Sequence, residues 1–259
     1  MRKYLSRIIE REIERRLKSS GAVSVAGPKF CGKTTTSELF AKSEIKLNTN
    51  SMINIARMEP RAVLMGETPR LIDEWQTVPD IWNATRALID ERQEFGQIIL
   101  TCRATPADKG EIHHSGAGRI TTIKMRPMSL YESQESLGVV SLKQLFDNPN
   151  ESILNLNEGH SLADTAFMMC RGGWPLAIGH DRDIALDVTR NYYEGLFNIE
   201  NSDNEKFRNK KPEVMRMILR AYARNISTEA SYRTLLADVT TNENRSMNDR
   251  TFDDYVDAL

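Results

Sequence analysis

The sequence predicts an α/β protein in which helices flank a parallel β-sheet, with a mainly helical second half. Short apolar runs alternate with helical patterns as far as about residue 132, which is typical of a parallel sheet covered on both faces. After about Tyr131 no further strand pattern stands out. The chain has 259 residues, of which 40% are hydrophobic and 27% charged, so it can hold one α/β domain and a smaller helical attachment.

The first 20 residues are predicted to form an amphipathic helix. Apolar side chains recur at helical spacing over residues 2–18, and arginine and glutamate fill the rest of the surface. We expect the apolar face to pack against the following domain. A helix that binds a membrane or nucleic acid is the alternative, but Glu10, Glu12 and Glu14 dilute its positive charge.

Residues 21–132 are predicted to form the α/β core. Each strand is a short apolar run, and helical patterns lie between several of these runs. The predicted strands are Ala22–Ala26, Ile45–Leu47, Arg70–Ile72, Gln97–Thr101 and Ile120–Met125, and the predicted helices are Lys33–Lys42 and Pro79–Arg92.

The rest of the chain is predicted to be helical. Residues 133–200 contain helical patterns joined by Asn, Gly and Pro turns, and residues 201–212 have the polar composition of a linker. Three further helices are predicted at residues 213–223, 228–238 and 251–259.

The cysteines and the hydropathy pattern exclude several classes of protein. Cys31, Cys102 and Cys170 show no paired spacing, which argues against a disulfide framework or a zinc site and favours a reducing cytoplasm. No apolar run approaches the length of a membrane span, so no membrane partner is expected.

The strongest motif follows the first predicted strand. Residues 27–34 fit the phosphate-loop pattern G-x-x-x-x-G-K-[ST], in the strand–loop–helix context that this motif requires. Glycines permit the tight turn whose N–H groups face a phosphate, the lysine reaches the β- and γ-phosphates, and the threonine hydroxyl is a ligand for Mg²⁺. The sequence therefore predicts an ATP site at Gly27, Pro28, Lys29, Phe30, Cys31, Gly32, Lys33, Thr34 and Thr35.

An acidic pair forty residues later completes the predicted site. The run L-I-D-E ends a predicted strand with Asp73, followed by Glu74. Asp73 is expected to hold Mg²⁺ together with Thr34, and Glu74 to act as the base that activates water. Two solvated acids at the end of a strand are the alternative.

Two further residues are assigned roles at this site. Thr101 ends the strand I-I-L-T, where a hydroxyl could position the attacking water; an ordinary strand threonine is the alternative. Cys31 lies next to backbone N–H groups and Lys33, which favour the thiolate and predict a lowered pKa. A small inert side chain packed under the loop is equally compatible with its position.

These pieces, in this order, resemble a widespread prokaryotic AAA+ ATPase family that usually carries a C-terminal nuclease-like domain of unknown function. The matching runs are G-P-K-F-C-G-K-T-T (27–35), P-R-L-I-D-E-W-Q (69–76), I-L-T (99–101), S-G-A-G-R-I (115–120), M-R-P-M-S-L-Y-E (125–132) and R-G-G-W-P (171–175).

The resemblance implies a P-loop NTPase sheet of the AAA+ type with a small helical lid at residues 133–200. It also implies that Arg119 contacts a γ-phosphate, as an arginine finger from a neighbouring subunit or as a sensor, so a homo-oligomer is expected. An arginine paired with a surface acid is the alternative. The run G-G-W-P is expected to form the turn of a lid helix beside adenine, or else a turn with Trp174 in the core.

The chain departs from the family at two places. Cys102 and Arg103 follow Thr101, where the family usually has Gly-Ser, and their larger side chains bear on the shape of that loop. Residues 201–259 correspond to a linker and an incomplete winged-helix-like segment, so a truncated product or a fragment is expected.

The leading functional hypothesis is an ATPase that hydrolyses ATP with Mg²⁺ and couples this to a partner or a further domain. The first alternative is a nucleotide-binding switch without useful turnover, against which Glu74 argues. The second is a DNA-associated regulator, which Asp253, Asp254 and Asp257 on the last predicted helix disfavour because they would repel phosphates. A small-molecule kinase is disfavoured by the region around Arg119.

Overall fold

A five-stranded parallel sheet organises the first part of the chain. The structure is a computed structural model that describes residues 4–103, 116–150, 152, 159–197 and 210–259. The strands are β1 Ala22–Ala26, β2 Ser43–Lys46, β3 Arg70–Asp73, β4 Ile98–Cys102 and β5 Ile120–Lys124. They lie in the order β2-β3-β4-β1-β5, and every neighbouring pair is parallel. The predicted α/β fold with a parallel sheet flanked by helices is confirmed.

Helices cover both faces of this sheet. Alternate residues of a strand point to opposite faces, so β1 divides its side chains between two clusters. Ala22 and Ala26 join one cluster, whereas Val23 and Val25 join the other. The helices of the α/β region are α1 Glu10–Leu17, α2 Lys33–Glu38, α3 Asn50–Met58 and α4 Asp80–Arg92.

The two clusters contain different helices. On the first face Trp75 packs with Trp82 and Leu88, the latter two on α4. On the second face Ile13 of α1 is fully buried with Cys31. The predicted packing of the N-terminal amphipathic helix against the following domain is therefore observed for α1, which begins at Glu10.

The boundary of α2 differs from the prediction for a physical reason. The helix was expected to continue to Lys42 but ends at Glu38. The N–H of Lys42 donates instead to Pro69 O over 2.8 Å, and the chain then enters β2. Sheet pairing thus ends the helix four residues early. Helix α3 was not predicted; it begins after Thr49, whose side chain accepts a hydrogen bond from Met52 N.

The remaining helices belong partly to a second compact unit. Helices α5 Leu142–Asp147 and α6 Leu162–Arg171 lie in the first unit, Met1–Thr189. The second unit, Arg190–Leu259, contains the end of α7 Arg182–Gly195 and the helices α8 Pro212–Arg224, α9 Tyr232–Asn242 and α10 Asp249–Val256. Residues 201–209 of the predicted linker lie outside the described residues, and the winged-helix assignment stays a prediction.

The second unit has its own core. Met215 and Ile218 of α8 pack with Val239 of α9 and Phe252 of α10, all nearly inaccessible to solvent. Throughout the part of the chain that the structure describes, no helix combines the length and apolar character needed to cross a membrane.

Candidate functional site

The loop between β1 and α2 has the backbone that its glycines permit. Gly32 has a φ of 100°, in the left-handed region that favours glycine. A Cβ on Gly27 would lie 2.3 Å from Met125 O, so no larger residue fits there without a shift of the backbone. Phe30 also has a positive φ, 64°, and its ring lies at the surface. The loop therefore curls tightly after β1.

Lys33 points back along the inside of this loop. Its ammonium donates to Gly27 O and Pro28 O, both over 3.0 Å, and the residue is 5% exposed. An ammonium group has three donors, and carbonyl acceptors at the loop mouth are weaker partners than phosphate oxygens would be. Lys29 and Thr35, by contrast, lie at the surface.

The start of helix α2 and the ends of strands β3 and β4 are joined by one chain of hydrogen bonds at the carboxyl ends of the strands. Thr34 Oγ1 donates to Asp73 Oδ1 over 2.7 Å, and Thr101 Oγ1 donates to the same oxygen over 2.5 Å. Thr101 Oγ1 in turn accepts from Glu74 N over 3.1 Å. The phosphate-loop threonine, the two acids after β3 and the threonine of β4 are thus brought together.

The carboxylate of Glu74 is held by two neighbours. Gln76 Nε2 donates to Glu74 Oε2, and Arg103 Nε lies 3.6 Å from the same oxygen. The backbone of Glu74 is left-handed, with a φ of 58°, so the extended backbone of β3 does not continue past Asp73. Arg103 therefore places a positive charge directly beside the predicted base.

The structure accommodates the two residues that depart from the family pattern. Cys102 is the last residue of β4 and is buried, with Sγ 3.9 Å from Ser24 Oγ. Burial raises the pKa of its thiol. Strand β4 is shifted by one residue from the predicted Gln97–Thr101, so that Thr101 is its second-last residue, and Arg103 is the one of the two that reaches the site.

Cys31 does not have the lowered pKa that its place in the loop predicts. The residue is fully buried, with Sγ 3.9 Å from Met125 O. Burial raises the pKa of the thiol and outweighs the opposite effects of the Lys33 and Arg7 charges. The burial of Cys31 agrees with the alternative, a small side chain packed under the loop.

Arg119 lies at the amino ends of the strands, opposite the carboxyl ends where the phosphate loop lies. It directly precedes β5, and its carbonyl accepts from Ala22 N at the start of β1. The phosphate loop begins only after the five residues of β1, about 16 Å farther along at 3.3 Å per residue. The guanidinium donates to Asp90 of α4 over 2.7 Å. Arg119 is therefore not brought to the loop of its own chain; Ser115, in the same motif, lies outside the described residues.

The G-G-W-P turn reaches the region of the loop. Gly173 O accepts from Met128 N over 2.6 Å, and a Cβ on Gly173 would lie 2.1 Å from Met128 O, so glycine is needed for this approach. Trp174 packs partly buried against the cluster that contains Cys31. Pro175 lies near Gly32, 3.6 Å from the position of a Cβ there.

Two residues of this region were not identified as site residues from the sequence. Arg7 and Glu132 form an ion pair of 3.0 Å beneath the loop, with side chains 4% and 6% exposed. The available signal was an arginine within the apolar run from Tyr4 to Ile9, since a buried arginine needs a partner. Its acidic partner is 125 residues away, a distance that local pattern does not bridge.

Comparison with known proteins agrees with this architecture. Residues 19–134 match the family model AAA_14, described as an AAA domain. The match supports an AAA-type ATPase domain, and with it nucleotide binding, over these residues.

Two curated relatives are 28% identical to this chain over 122 residues: uncharacterized proteins of Mycobacterium bovis and Mycobacterium tuberculosis. The matched part is 46% of this chain and 28% of each relative, so the match spans less than a third of their length.

Similar solved structures have low identity. One is a signal transduction ATPase with numerous domains from Pyrococcus horikoshii, with 11% identity, coverage of 100% of this chain and 48% of that one, and a TM-score of 0.41. Another is AMPPCP-bound DnaA from Aquifex aeolicus, with 13% identity, coverage of 97% and 84%, and a TM-score of 0.38. A third is a DNA replication initiation factor, with 12% identity, coverage of 97% and 80%, and a TM-score of 0.36.

Proposed function

We propose that this chain binds ATP with Mg²⁺ at its phosphate loop and hydrolyses it, with Glu74 as the base. The observation that carries the proposal is the hydrogen-bond chain from Thr34 through Asp73 and Thr101 to the N–H of Glu74. It joins the phosphate loop to an acid suited to a metal and to an acid suited to water activation. The match to an AAA domain over residues 19–134 supports the same activity.

The phosphate loop and Lys33 are proposed to bind the phosphates of ATP. The ammonium exchanges the carbonyls of Gly27 and Pro28 for phosphate oxygens, which form stronger charge-assisted bonds. Because Lys33 is almost fully buried, little of its charge is screened by water, and the attraction to the phosphates is correspondingly strong.

The residues beside the loop suit Mg²⁺. Thr34 and Asp73 supply a hydroxyl and a carboxylate oxygen 2.7 Å apart, and oxygen donors of this kind are the ones that Mg²⁺ prefers. When bound, the ion would neutralise charge on the phosphates. Thr101 holds Asp73 in place through its own bond to the carboxylate.

Glu74 is proposed to orient and deprotonate the attacking water. Its backbone is fixed by the bond from its N–H to Thr101, so the carboxylate starts from a defined position at the sheet edge.

Arg119 is proposed to act on the nucleotide of a neighbouring subunit within a homo-oligomer, since it lies away from the loop of its own chain. Coupling of turnover to a partner or to a further domain belongs to the same proposal.

A nucleotide-binding switch with little turnover is the second candidate. The observation that favours it is the contact of Glu74 Oε2 with both Gln76 and Arg103. Both contacts engage the same oxygen, so water can reach the carboxylate only through Oε1 unless these partners are released.

The test measures binding of a fluorescent ATP analogue and release of phosphate by the same preparations. Lys33→Ala should lose binding, and Glu74→Gln should bind normally but turn over at least about 100-fold more slowly, because the amide keeps the shape and removes the base. Lys18→Ala is the matched control, since Lys18 is a surface lysine, and it should behave like the wild type. Unchanged affinity in Lys33→Ala would refute the site; binding without magnesium-dependent hydrolysis would favour the switch.

A further inference from the structure

Arg7 lies inside the molecule, although it belongs to the segment before the first helix. Its side chain is 4% exposed, and all three of its nitrogens donate hydrogen bonds. Nε donates to Glu132 Oε1 over 3.0 Å, Nη1 to Cys31 O over 2.7 Å and Nη2 to Arg126 O over 2.7 Å. One guanidinium thus joins the N-terminal segment, the phosphate loop and the segment after β5.

The bond to Cys31 O bears on the orientation of the loop. In a trans peptide the C=O and the next N–H point in opposite directions. Because Arg7 holds the Cys31 carbonyl on its own side, the N–H of Gly32 is turned to the opposite side of that peptide. Gly32 is the second glycine of the phosphate-loop motif, where an inward N–H serves to bind phosphate.

Glu132 keeps Arg7 in this position. Its Oε1 also accepts from Ile8 N over 2.8 Å, and its Oε2 accepts from Ser129 N over 2.8 Å and from Ser129 Oγ over 3.1 Å. Burial alone would raise the pKa of Glu132, but these N–H groups and the Arg7 charge together hold it below its usual value. The carboxylate therefore stays ionised and bound to the guanidinium.

We propose that Arg7 is a positioning residue for nucleotide binding, which orients the Cys31–Gly32 peptide of the phosphate loop and is itself held by Glu132. The inference rests on the proposed function, because it concerns the same site. It predicts that the N-terminal segment, outside the motif itself, contributes to nucleotide affinity. Coupling of this kind is reciprocal, so bound ATP should also stabilise the segment that carries Arg7.

The first test replaces Arg7 by lysine, which keeps the positive charge but lacks the fork needed to reach three acceptors. Affinity for a fluorescent ATP analogue should fall about 10- to 100-fold, the loss that corresponds to one hydrogen bond to a charged group. The turnover number at saturating ATP should stay within about threefold, because Arg7 does not contact Thr34, Asp73 or Glu74 in the described structure.

The matched control is Arg70→Lys. Arg70 is a half-buried arginine that donates to Val63 O over 2.7 Å and to Ser43 Oγ over 3.0 Å, at the amino end of β3 and away from the loop. Its loss should lower stability without changing ATP affinity. Glu132→Gln is the second variant if Arg7→Lys folds poorly, because it leaves Arg7 in place and weakens its anchor.

A second measurement does not depend on nucleotide. Loosening the loop should expose Cys31, so maleimide labelling of Cys31 without ATP should rise at least about fivefold in Arg7→Lys and not in Arg70→Lys. Cys170 is exposed and serves as the internal reference in the same sample.

The outcomes separate this inference from the proposed function. Wild-type protein that binds no ATP would refute the proposed function, and the labelling result would still decide whether Arg7 holds the loop in place. If the wild type binds ATP while folded Arg7→Lys binds equally well and leaves Cys31 protected, the positioning role is refuted alone.

Discussion

Thr101 offers the sharpest test of the hydrogen-bond chain, because one hydroxyl serves two partners. It is fully buried, donates to Asp73 Oδ1 over 2.5 Å and accepts from Glu74 N over 3.1 Å. Thr101→Val removes the hydroxyl and puts a methyl group of similar size in its place. Asp73 then keeps the bond from Thr34, whereas the N–H of Glu74 loses its acceptor.

The expected loss follows from these two bonds. A hydrogen bond to a charged group contributes about 1.5–3 kcal/mol and a neutral one about 1 kcal/mol. Since Glu74 is only partly buried, water can replace part of the second bond. We expect a loss of about 2 kcal/mol in the free energy of unfolding. If the same loss is felt in the transition state of hydrolysis, turnover falls about 30-fold.

The assay compares Thr101→Val with Thr101→Ser in denaturant unfolding and in steady-state phosphate release. Serine keeps both hydrogen bonds and loses one buried methyl group, which costs about 1 kcal/mol of stability. Its turnover should therefore stay within about threefold of the wild type. Wild-type turnover in Thr101→Val, or an equal fall in both variants, would show that the hydroxyl does not connect Asp73 to Glu74 in the working enzyme.

Three further predictions concern residues around the site. Arg103→Ser should raise turnover about two- to fivefold at unchanged ATP affinity, since an ion pair of this exposure contributes about 0.2–1 kcal/mol; a fall in turnover would instead assign Arg103 a direct part in catalysis. Arg119→Ala and Lys33→Ala proteins should each be inactive alone but regain activity when mixed, because one supplies the nucleotide site and the other the arginine. A mixture no more active than its separate components would exclude a trans role for Arg119. Cys31 should react with maleimide much more slowly than Cys170 in native protein and equally fast in denaturant, since burial raises the pKa of its thiol; equal rates in native protein would contradict the buried position.

The parts of the site that depend on contiguous residues could be predicted from the sequence. The phosphate loop is a single run between a strand and a helix, so its residue types alone indicate its backbone. Asp73 and Thr101 are each the end of an apolar run, and parallel strands bring their carboxyl ends to one edge. Neither inference needed knowledge of how distant parts of the chain pack.

The parts that depend on tertiary packing could not be predicted. Local dipoles favour the thiolate of Cys31, but β5 and α1 bury the side chain, and the cost of desolvation decides its pKa. Helix α2 ends early because Lys42 pairs with Pro69, twenty-seven residues later. In both cases a contact distant in sequence overrides a local preference.

Differences in burial indicate different roles for Arg7, Arg119 and Arg103. The guanidinium of Arg7 is 4% exposed and has all its bonds inside the protein, so releasing it would leave a buried carboxylate without its counter-charge. Because of that cost, Arg7 is suited to fix the shape of the phosphate loop and not to exchange partners.

Arg119 is the opposite case. Its side chain is 47% exposed, and that of its partner Asp90 is 39% exposed. An ion pair of this exposure contributes no more than about 1 kcal/mol, so Arg119 can leave Asp90 at little cost. A phosphate offers such an arginine two strong charge-assisted bonds in exchange. The phosphate loop of its own chain lies at the opposite ends of the strands. Under the proposed function, the phosphate within reach of Arg119 would therefore be that of a neighbouring subunit. Arg103 is intermediate in burial: its side chain is 35% exposed, and its Nε lies 3.6 Å from Glu74 Oε2. Of the three arginines, it is the one best placed to exchange partners within one chain.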